Sequence, residues 1–410
     1  MGRNGYKGSL LGIYRVLELA DEKGVYCGKM FADLGADVIK IEPPGGDKAR
    51  FRGPFYHDEL DPEKSLHFLH FNTNKRSITL DIEREAGRAT FKDLAKTADA
   101  LVETYPPGHL KRLGLDYEAL SEINPKLVMC SITPFGQTGP HRHFKTTDLV
   151  NMAVGFLAQL TGDPDRAPLR FGAEQSYLIA SHYAATGIMY ALYHRSATGE
   201  GQHIDISIQE CIYPITSELD VPDFWHVMRM DATRPGGRSL VRVPYGQYPC
   251  KDGLVVIAIL EAHQWDALAQ WMYEVTGEKE VLDDMYKGRY AARAPYREIV
   301  EHFIIGFSTR LTKLELMTEG QRRGIPIFAV QDAEEMVNCP QLAALDFFTE
   351  AEHPVVGRLK YPGAPYRIRE APWCLRRAAP RLGEHNDEVY RGELGYTEKR
   401  LITLRSAGVI

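Results

Sequence analysis

Three short basic segments of the chain combine cations with amides, glycine or proline in a way that suits phosphate binding. They are NTNKRSITLD at 72–81, YPPGHLKRLG at 105–114 and FGQTGPHRHFKTTD at 135–148. Lysine and arginine bind phosphate oxygens, and asparagine offers donors and acceptors to a ribose or an amide. Each segment taken alone is equally typical of a solvated turn. Together they predict a site for a polyanionic small molecule.

A candidate reactive group lies in RFGAEQSYLIASHYAATG, residues 170–187, where one carboxylate, Glu174, precedes a long apolar run. A carboxylate can act as a nucleophile toward an activated acyl group. A glutamate at the start of a helix is also favoured by the helix dipole alone. Both interpretations of Glu174 stay open at this level.

The elements that position these residues follow an α/β pattern. Strands are predicted at 14–19, 36–42, 100–104 and 126–132, and helices at 24–35 and 83–97. Strands separated by single helices predict a parallel, Rossmann-like sheet with right-handed crossovers. Ligands of such sheets bind at the carboxyl ends of the strands, so the basic segments are expected to meet there. The first turn, LADEKGVYCG, lacks the G-x-G-x-x-G pattern, which argues against NAD or FAD.

The rest of the chain divides into further regions. Residues 1–215 are predicted to form the first part of a large Rossmann-like domain, with a helical pattern over 146–194. Residues 216–243 are expected to be a linker, and 244–330 a smaller α/β domain that opens with a hairpin turn at Asp252-Gly253. Residues 331–410 are expected to return to the large domain.

Composition excludes several classes of function. The chain has 410 residues, 44% of them hydrophobic and 25% charged, as in ordinary globular proteins. Its net charge of −6 gives no support to nucleic acid or an anionic membrane as the partner. The six cysteines form no Cys-x-x-Cys pair, so neither a metal site nor a disulfide framework is expected. No signal peptide or membrane span is recognisable, and the cytoplasm is the expected location.

Several blocks of the sequence, in order, resemble the class III CoA-transferase family, which includes formyl-CoA and carnitine CoA-transferases and α-methylacyl-CoA racemase. They are ADLGADVIKIEPPGGD, NTNKRSITLD, FGQTGP, ALYHRSATGEGQHIDISIQE and the closing GIPIFAVQDAEEMVNCPQL, HPVVGRLKYPGAPYRI and PRLGEHN. The similarity runs from about Leu11 to the C-terminus. It implies a large domain built from both ends of the chain, a small α/β domain, and two chains interlocked as a dimer.

The resemblance also implies a substrate and its contacts. Coenzyme A, as free CoA or acyl-CoA, would be a substrate, and no tightly bound cofactor is expected. Carried over by position, the CoA contacts fall on Asn72, Thr73, Asn74, Lys75, Thr104, Tyr105, Arg112 and Lys145. A family arginine that often follows the second-strand glutamate is Pro43 here, so adenine packing is expected to differ.

The family nucleophile is an aspartate near the start of the helix that leads into ALYHR, and this position is Tyr177 here. In the family the aspartate attacks the acyl-CoA thioester. A tyrosine, with a pKa of about 10, is mostly protonated at neutral pH. A racemase is not expected either, because Thr147 stands where that branch has a histidine.

Three hypotheses follow from this departure. The first is a non-nucleophilic subunit that works with a homologous subunit carrying the aspartate. Succinyl-CoA:benzylsuccinate CoA-transferase of anaerobic aromatic degradation is a heteromer of this type. The second is a homodimeric CoA-transferase that uses Glu174. The third is a non-enzymatic subunit that binds CoA esters.

Overall fold

The computed structural model describes residues 9–216 and 220–410. Within those ranges the chain forms two compact units. The first contains the residues up to Asn151 together with Gly172–Ile212 and Pro340–Ile410, and the second contains Met152–Phe171 and Tyr213–Cys339. The segment expected to be a linker, 216–243, therefore falls in the second unit, where its described part includes short helical turns.

The first unit is built around a parallel sheet of six strands in the order β3-β2-β1-β4-β5-β6. The strands are β1 Arg15–Leu19, β2 Asp37–Glu42, β3 Arg76–Thr79, β4 Ala100–Glu103, β5 Val128–Thr133 and β6 His203–Ser207. Every residue of the first five is buried, as expected for parallel strands covered on both faces. The order reverses between β1 and β4, and doubly wound folds bind ligands at such a crevice. The predicted parallel α/β sheet is confirmed.

Helices connect and cover these strands. In chain order they are α1 Val25–Asp33, α2 Leu66–Phe71, α3 Glu85–Ala95, α4 His109–Leu113, α5 Tyr117–Ile123, α6 Asp148–Val154, α7 Gln175–Thr198 and α8 Ile208–Thr216. The helical pattern predicted over 146–194 is broken between α6 and α7, where three glycines and two prolines interrupt it. Short 3-10 turns lie at Lys48–Phe51, Tyr56–Asp58 and Leu157–Leu160.

The second unit has an antiparallel sheet in the order β7-β8-β9, formed by Tyr245–Cys250, Gly253–Ala258 and Ile327–Ala329. Cys250 pairs with Gly253, which places a two-residue turn within the predicted hairpin. Its helices are α9 Asp220–Asp223, α10 Ala262–Thr276, α11 Arg297–Ser308, α12 Lys313–Arg322 and α13 Ala333–Val337. A π-helical turn spans Phe224–Met228, and 3-10 turns span Lys279–Leu282, Asp284–Tyr286 and Tyr290–Tyr296.

The last seventy residues pack within the first unit. They contribute α14 Pro340–Ala344, the hairpin β10 Phe348–His353 and β11 Gly357–Pro362, a π-helical segment Asp387–Glu393 and α15 Glu398–Ser406. The Tyr390 hydroxyl donates to the Thr79 carbonyl at 2.7 Å, and the amide of Asp81 donates to the carbonyl of Val409 at 2.8 Å. Across the described ranges, no helix is long and apolar enough to cross a bilayer.

Candidate active site

The start of α7 is held in place by a carboxylate from α6. Asp148 Oδ1 accepts hydrogen bonds from the backbone amide of Ser176 at 3.0 Å and from its hydroxyl at 2.8 Å. A negative group at a helix N-terminus satisfies free amides and the helix dipole. Just before the helix, Ala173 has a φ of 61°, a left-handed conformation that a non-glycine residue adopts at some cost. This backbone sets the directions of Glu174 and Tyr177.

A cavity of about 380 Å³ lies beside this helix start, within the first unit. Five parts of the chain line it: the loop after β1 with Glu22, the start of α1 with Tyr26, the loop after β2 with Arg52, helix α2 with His67 and His70, and the beginning of α7 with Tyr177. The loops after β1 and β2 leave the carboxyl ends of parallel strands, where ligands of this fold bind.

Tyr177 forms part of the cavity wall and keeps its proton at neutral pH. Its side chain is buried, at 5% exposure. Burial raises the pKa of the phenol further above its ordinary value, and the nearby carboxylates of Glu22 and Glu174 act in the same direction. A protonated phenol is a weak nucleophile, and it cannot form the mixed anhydride that a carboxylate forms.

Glu174 is an alternative carboxylate in the same cavity, and it is paired with a cation. Its Oε2 accepts a hydrogen bond from Arg52 Nη1 at 2.7 Å, and His67 Nε2 lies 3.9 Å from the same oxygen. The hydrogen bond to Glu174 is the main cause that raises the pKa of the Arg52 guanidinium. A carboxylate whose negative charge is shared with an arginine is a poorer nucleophile than a free one.

Burial shifts the pKa of three other titratable side chains of the cavity in the direction of their uncharged forms. Burial raises the pKa of Glu22, with a further contribution from the adjacent Asp21 carboxylate. Burial lowers the pKa of His67, and it lowers that of His70 to about 4. Both imidazoles are therefore neutral at pH 7, because an ordinary histidine titrates near about 6.5.

Aromatic rings form one side of the cavity. The ring of Phe71 lies 6.0 Å from Tyr26, 4.9 Å from His67 and 4.6 Å from His70, measured between centroids. Such edge-to-face and tilted contacts are favourable between rings and hold the wall rigid. The cavity thus combines an apolar side with a small number of polar groups, as ligand sites commonly do.

The predicted CoA contact at Lys75 has a fully buried side chain. Its Nζ donates to Glu18 Oε2 at 2.8 Å, Asn72 Oδ1 at 3.0 Å and the carbonyl of Val25 at 2.9 Å. Burial lowers the pKa of Lys75 to about 8, against the opposing effect of Glu18. The ammonium group is therefore saturated by protein partners.

The neighbouring residues of the same segment are also engaged inside the protein. Thr73 Oγ1 accepts from Lys29 Nζ at 2.6 Å. Asn74 has a left-handed backbone with a φ of 63°, donates to Asp33 Oδ1 at 2.9 Å and accepts from the amide of Arg376 at 2.8 Å. Contacts between CoA and residues 72–75 stay a prediction. The observed bonds of Thr73 and Asn74 join this segment to α1, and Asn74 also contacts the C-terminal stretch.

Thr104 and Tyr105 lie at the crevice where the strand order reverses. Thr104 Oγ1 accepts from the backbone amide of Asp21 at 3.0 Å, which ties the end of β4 to the loop that carries Glu22. The Tyr105 ring stacks on His109 at 4.4 Å. Glu103 Oε2 accepts from the Tyr105 amide at 2.7 Å, and burial raises the pKa of Glu103 to about 7.

The remaining two predicted contacts are on the surface. Arg112 is exposed, and its Nη2 lies 3.1 Å from both carboxylate oxygens of Glu83. Lys145 is exposed in the loop before α6. The structure thus places Glu174, Tyr177 and the Thr104 turn near one crevice, while the side chain of Lys75 is enclosed.

Sequence reasoning did not single out Arg52, Glu22, His67 or His70. None of them belongs to a recognisable motif, and Arg52 reaches Glu174 across 122 positions of sequence. A basic residue in the loop after the second strand was the only local signal. The pairing depends on how the loop after β2 folds toward α7.

Comparisons with known proteins agree on one family. The sequence profile of CoA-transferase family III matches residues 12–386. The chain is 36% identical to succinyl-CoA:(R)-benzylsuccinate CoA-transferase subunit BbsE of Thauera aromatica, over 97% of each chain. It is 33% identical to succinate–glutarate CoA-transferase of Agrobacterium fabrum, over 92% of this chain and 93% of that one.

Solved structures show the same relationship. A CAIB/BAIF family protein from Brucella suis superposes with a TM-score of 0.81 at 29% identity, covering 95% of this chain and all of that one (100%). CoA-transferases use acyl-CoA as a substrate and need no tightly bound cofactor. The length of the profile match and the identity to curated relatives show that this chain belongs to CoA-transferase family III.

Proposed function

We propose that this chain is the non-nucleophilic subunit of a heteromeric class III CoA-transferase. The complex transfers CoA between an acyl-CoA, such as succinyl-CoA, and a carboxylic acid. The proposal is carried by Tyr177, a protonated phenol at the position where the resemblance places the family's aspartate, together with the pairing of the Glu174 carboxylate with Arg52. Neither group is prepared to attack a thioester.

The chemistry of the reaction explains why a partner is needed. In the family mechanism a carboxylate attacks the thioester carbonyl, which releases CoA thiolate and leaves a mixed anhydride on the enzyme. The thiolate then attacks the enzyme carbonyl of the anhydride, which releases the donor acid and forms an enzyme thioester. The acceptor acid takes CoA by the reverse steps. A homologous subunit with an aspartate supplies this nucleophile, while the present chain binds CoA or shapes the site.

An exposed aromatic face on α7 supports a protein partner. Tyr183, Tyr190 and Tyr193 are 43%, 72% and 82% exposed, and their spacing places them on one side of the helix. Aromatic side chains on a surface are typical of protein–protein interfaces. In the proposal this face contacts the homologous subunit in an interlocked pair.

The choice of succinyl-CoA as donor is supported by relatives. Two of them are named for reactions of succinyl-CoA or succinate, and one of these is named as a subunit. Within this chain, CoA is proposed to contact Asn72, Thr73, Asn74, Lys75, Thr104, Tyr105, Arg112 and Lys145. At Lys75 the proposed contact is with the backbone, since its ammonium is held by Glu18, Asn72 and the carbonyl of Val25. The proposed division is a large CoA-binding domain from both chain ends and a small α/β domain, acting in the cytoplasm.

The test is an exchange assay with and without the partner. The chain purified alone and the chain co-purified with an aspartate-bearing homologue from the same source are incubated with succinyl-CoA and candidate acids. We expect exchange by the complex and none by the lone chain. In the complex, replacing the partner's aspartate by alanine should abolish exchange, while Tyr177→Phe in this chain should leave it within about twofold, because a phenol hydroxyl takes no acyl group.

One result would replace this proposal by a homodimeric enzyme. That result is exchange by the lone chain which is lost in Glu174→Gln and accompanied by a hydroxylamine-trapped modification at Glu174. CoA binding without exchange in any complex would instead indicate a non-enzymatic CoA-ester-binding subunit.

A further inference from the structure

The two arginines of the loop after β2 have different surroundings. Arg50 is fully buried and its guanidinium is saturated: Nε and Nη2 bind Glu42 at 2.6 and 2.9 Å, and Nη1 binds Glu63 at 3.0 Å. Arg52 lines the cavity, and its side chain is 40% exposed. Of the hydrogen bonds described for the Arg52 side chain, the one to Glu174 uses Nη1 alone. Arg52 therefore lines the cavity with a partly exposed guanidinium, and its Nε and Nη2 take no part in the bond to Glu174.

We propose that Arg52 determines specificity by binding the distal carboxylate of a dicarboxylic acyl group carried on CoA, and that Glu174 competes for the same guanidinium. The inference rests on the proposed function, since it requires that CoA esters bind at this cavity. It adds a substrate class and a selecting residue. The preferred ligand is a short-chain acyl-CoA with a second, free carboxylate.

The charge distribution of the cavity supports this assignment. Among the described lining residues, Arg52 is the sole lysine or arginine, and the two histidines are neutral at pH 7. A free carboxylate that enters the cavity has this one guanidinium as its strong partner, and arginine binds carboxylates through two parallel hydrogen bonds. The aromatic side formed by Phe71 and Tyr26 suits the methylene groups of the same acyl chain.

The backbone of Arg52 is held by hydrogen bonds, while its side chain is partly exposed. The hydroxyl of Ser65 donates to the carbonyl of Arg52 at 2.6 Å, and the amide of Arg52 donates to the carbonyl of Ala49 at 3.3 Å. A fixed backbone reduces the conformational entropy that is lost when the guanidinium binds a ligand. Glu174 is about one-fifth exposed, so its carboxylate has room to leave the guanidinium when a ligand carboxylate arrives.

The experiment compares two CoA esters with the same four-carbon chain, succinyl-CoA and butyryl-CoA, which differ only in the distal carboxylate. Their dissociation constants are measured by calorimetry on the full chain, alone and in complex with its partner. The wild type is expected to prefer succinyl-CoA by about tenfold or more, because a charge-assisted bidentate pair contributes about that factor.

Variants then separate Arg52 from general effects. Arg52→Met should bring the two constants within about twofold of each other and leave butyryl-CoA binding near the wild-type value, which also shows that the cavity is intact. Arg52→Lys should retain part of the preference. Glu174→Gln should increase the preference several-fold, since it removes the competing charge. The matched control, Arg84→Met, lies on the surface beside Asp81 and should change nothing.

Two outcomes overturn the inference in different ways. If butyryl-CoA binds as tightly as succinyl-CoA to the wild type, or if Arg52→Met keeps the preference, Arg52 does not select the carboxylate and the proposed CoA-binding function survives. If neither ester binds to the chain or to the complex, the proposed function fails, and the inference fails with it.

Discussion

Two groups of charged side chains flank the end of β1, and they differ in how completely their charges are satisfied. The buried ionic cluster consists of Glu18, Lys40, Asp47 and Lys75. Glu18 pairs with Lys75 at 2.8 Å and with Lys40 at 3.3 Å, and Lys40 pairs with Asp47 at 2.7 Å. Three of these four side chains are almost completely excluded from solvent.

The second group, the cavity cluster, consists of Glu22, Arg52, His67 and Glu174. It has one close ion pair, between Arg52 and Glu174, and that pair is partly exposed. Charged groups that are excluded from solvent need ion-pair and hydrogen-bond partners within the protein. A partly exposed ion pair can exchange one partner for a ligand at a small cost in free energy. The comparison therefore assigns a structural role to the first cluster and a binding role to the second.

Removing one charge from each cluster should give the largest contrast. Lys75→Met leaves Glu18 with a weakened set of partners in a site without solvent, and we expect a loss of about 3–5 kcal/mol in the free energy of unfolding. Arg52→Met breaks an exposed pair and should change that quantity by less than about 1 kcal/mol. Urea denaturation of both variants measures the difference. Equal losses would remove the distinction between the clusters.

The tight packing around Glu18 can be tested without changing any charge. Gly28, in α1, has no space for a side chain, because a Cβ built there would lie 1.6 Å from Glu18 Oε2. Gly28→Ala should therefore displace Glu18 from its lysines and cost about 3 kcal/mol. Gly306 lies inside α11 with nothing within 4 Å of its Cβ position, so Gly306→Ala should instead stabilise by up to about 1 kcal/mol. Thermal unfolding of the two variants measures these changes in stability. If Gly28→Ala left the stability unchanged, the Glu18 side chain would be free to move away from the added methyl group.

His70, which lines the same cavity, should give a smaller signature in the pH dependence of stability. Burial lowers the pKa of His70 to about 4, while an unfolded histidine titrates near about 6.5. Between these values the unfolded chain binds more protons, so stability is lost as the pH falls through this window. From pH 7 to pH 5 the loss attributable to His70 is about 2 kcal/mol.

The measurement for His70 is a set of urea titrations at several pH values on the wild type and His70→Gln. The free energy of unfolding of the wild type, relative to that of the variant, should fall toward low pH, because the variant has no imidazole to protonate. A constant difference across the window would show that His70 is not held in its neutral form by the fold.

Much of the sheet could be predicted from local patterns. The runs at 14–19, 36–42 and 126–132 became Arg15–Leu19, Asp37–Glu42 and Val128–Thr133. These strands combine branched apolar residues with a few buried charges such as Glu18 and Lys40, and short stretches rich in Val, Ile and Leu are recognisable without knowledge of their neighbours. The helical pattern over 146–194 was less informative, because the break between α6 and α7 assigns part of it to the second unit.

The site was only partly predictable. Glu174 and Tyr177 were found from the sequence, since both lie at a helix start that the pattern defines. The environment of Lys75 was not, because its carboxylate partner Glu18 lies 57 positions away. A lysine next to an arginine and two asparagines has the same local pattern whether its ammonium is exposed or enclosed.

The sequence by itself determined the alternation of strands and helices, the family, and the presence of a tyrosine, Tyr177, in the first turn of α7. Each of these is a property of neighbouring residues or of position along the chain. Only the tertiary structure decided which cations are saturated and which can bind a ligand. Ion pairing and burial depend on distances between segments that are remote in sequence. Arg50 and Arg52 are only two positions apart, yet the first is buried with a saturated guanidinium and the second is partly exposed beside the cavity.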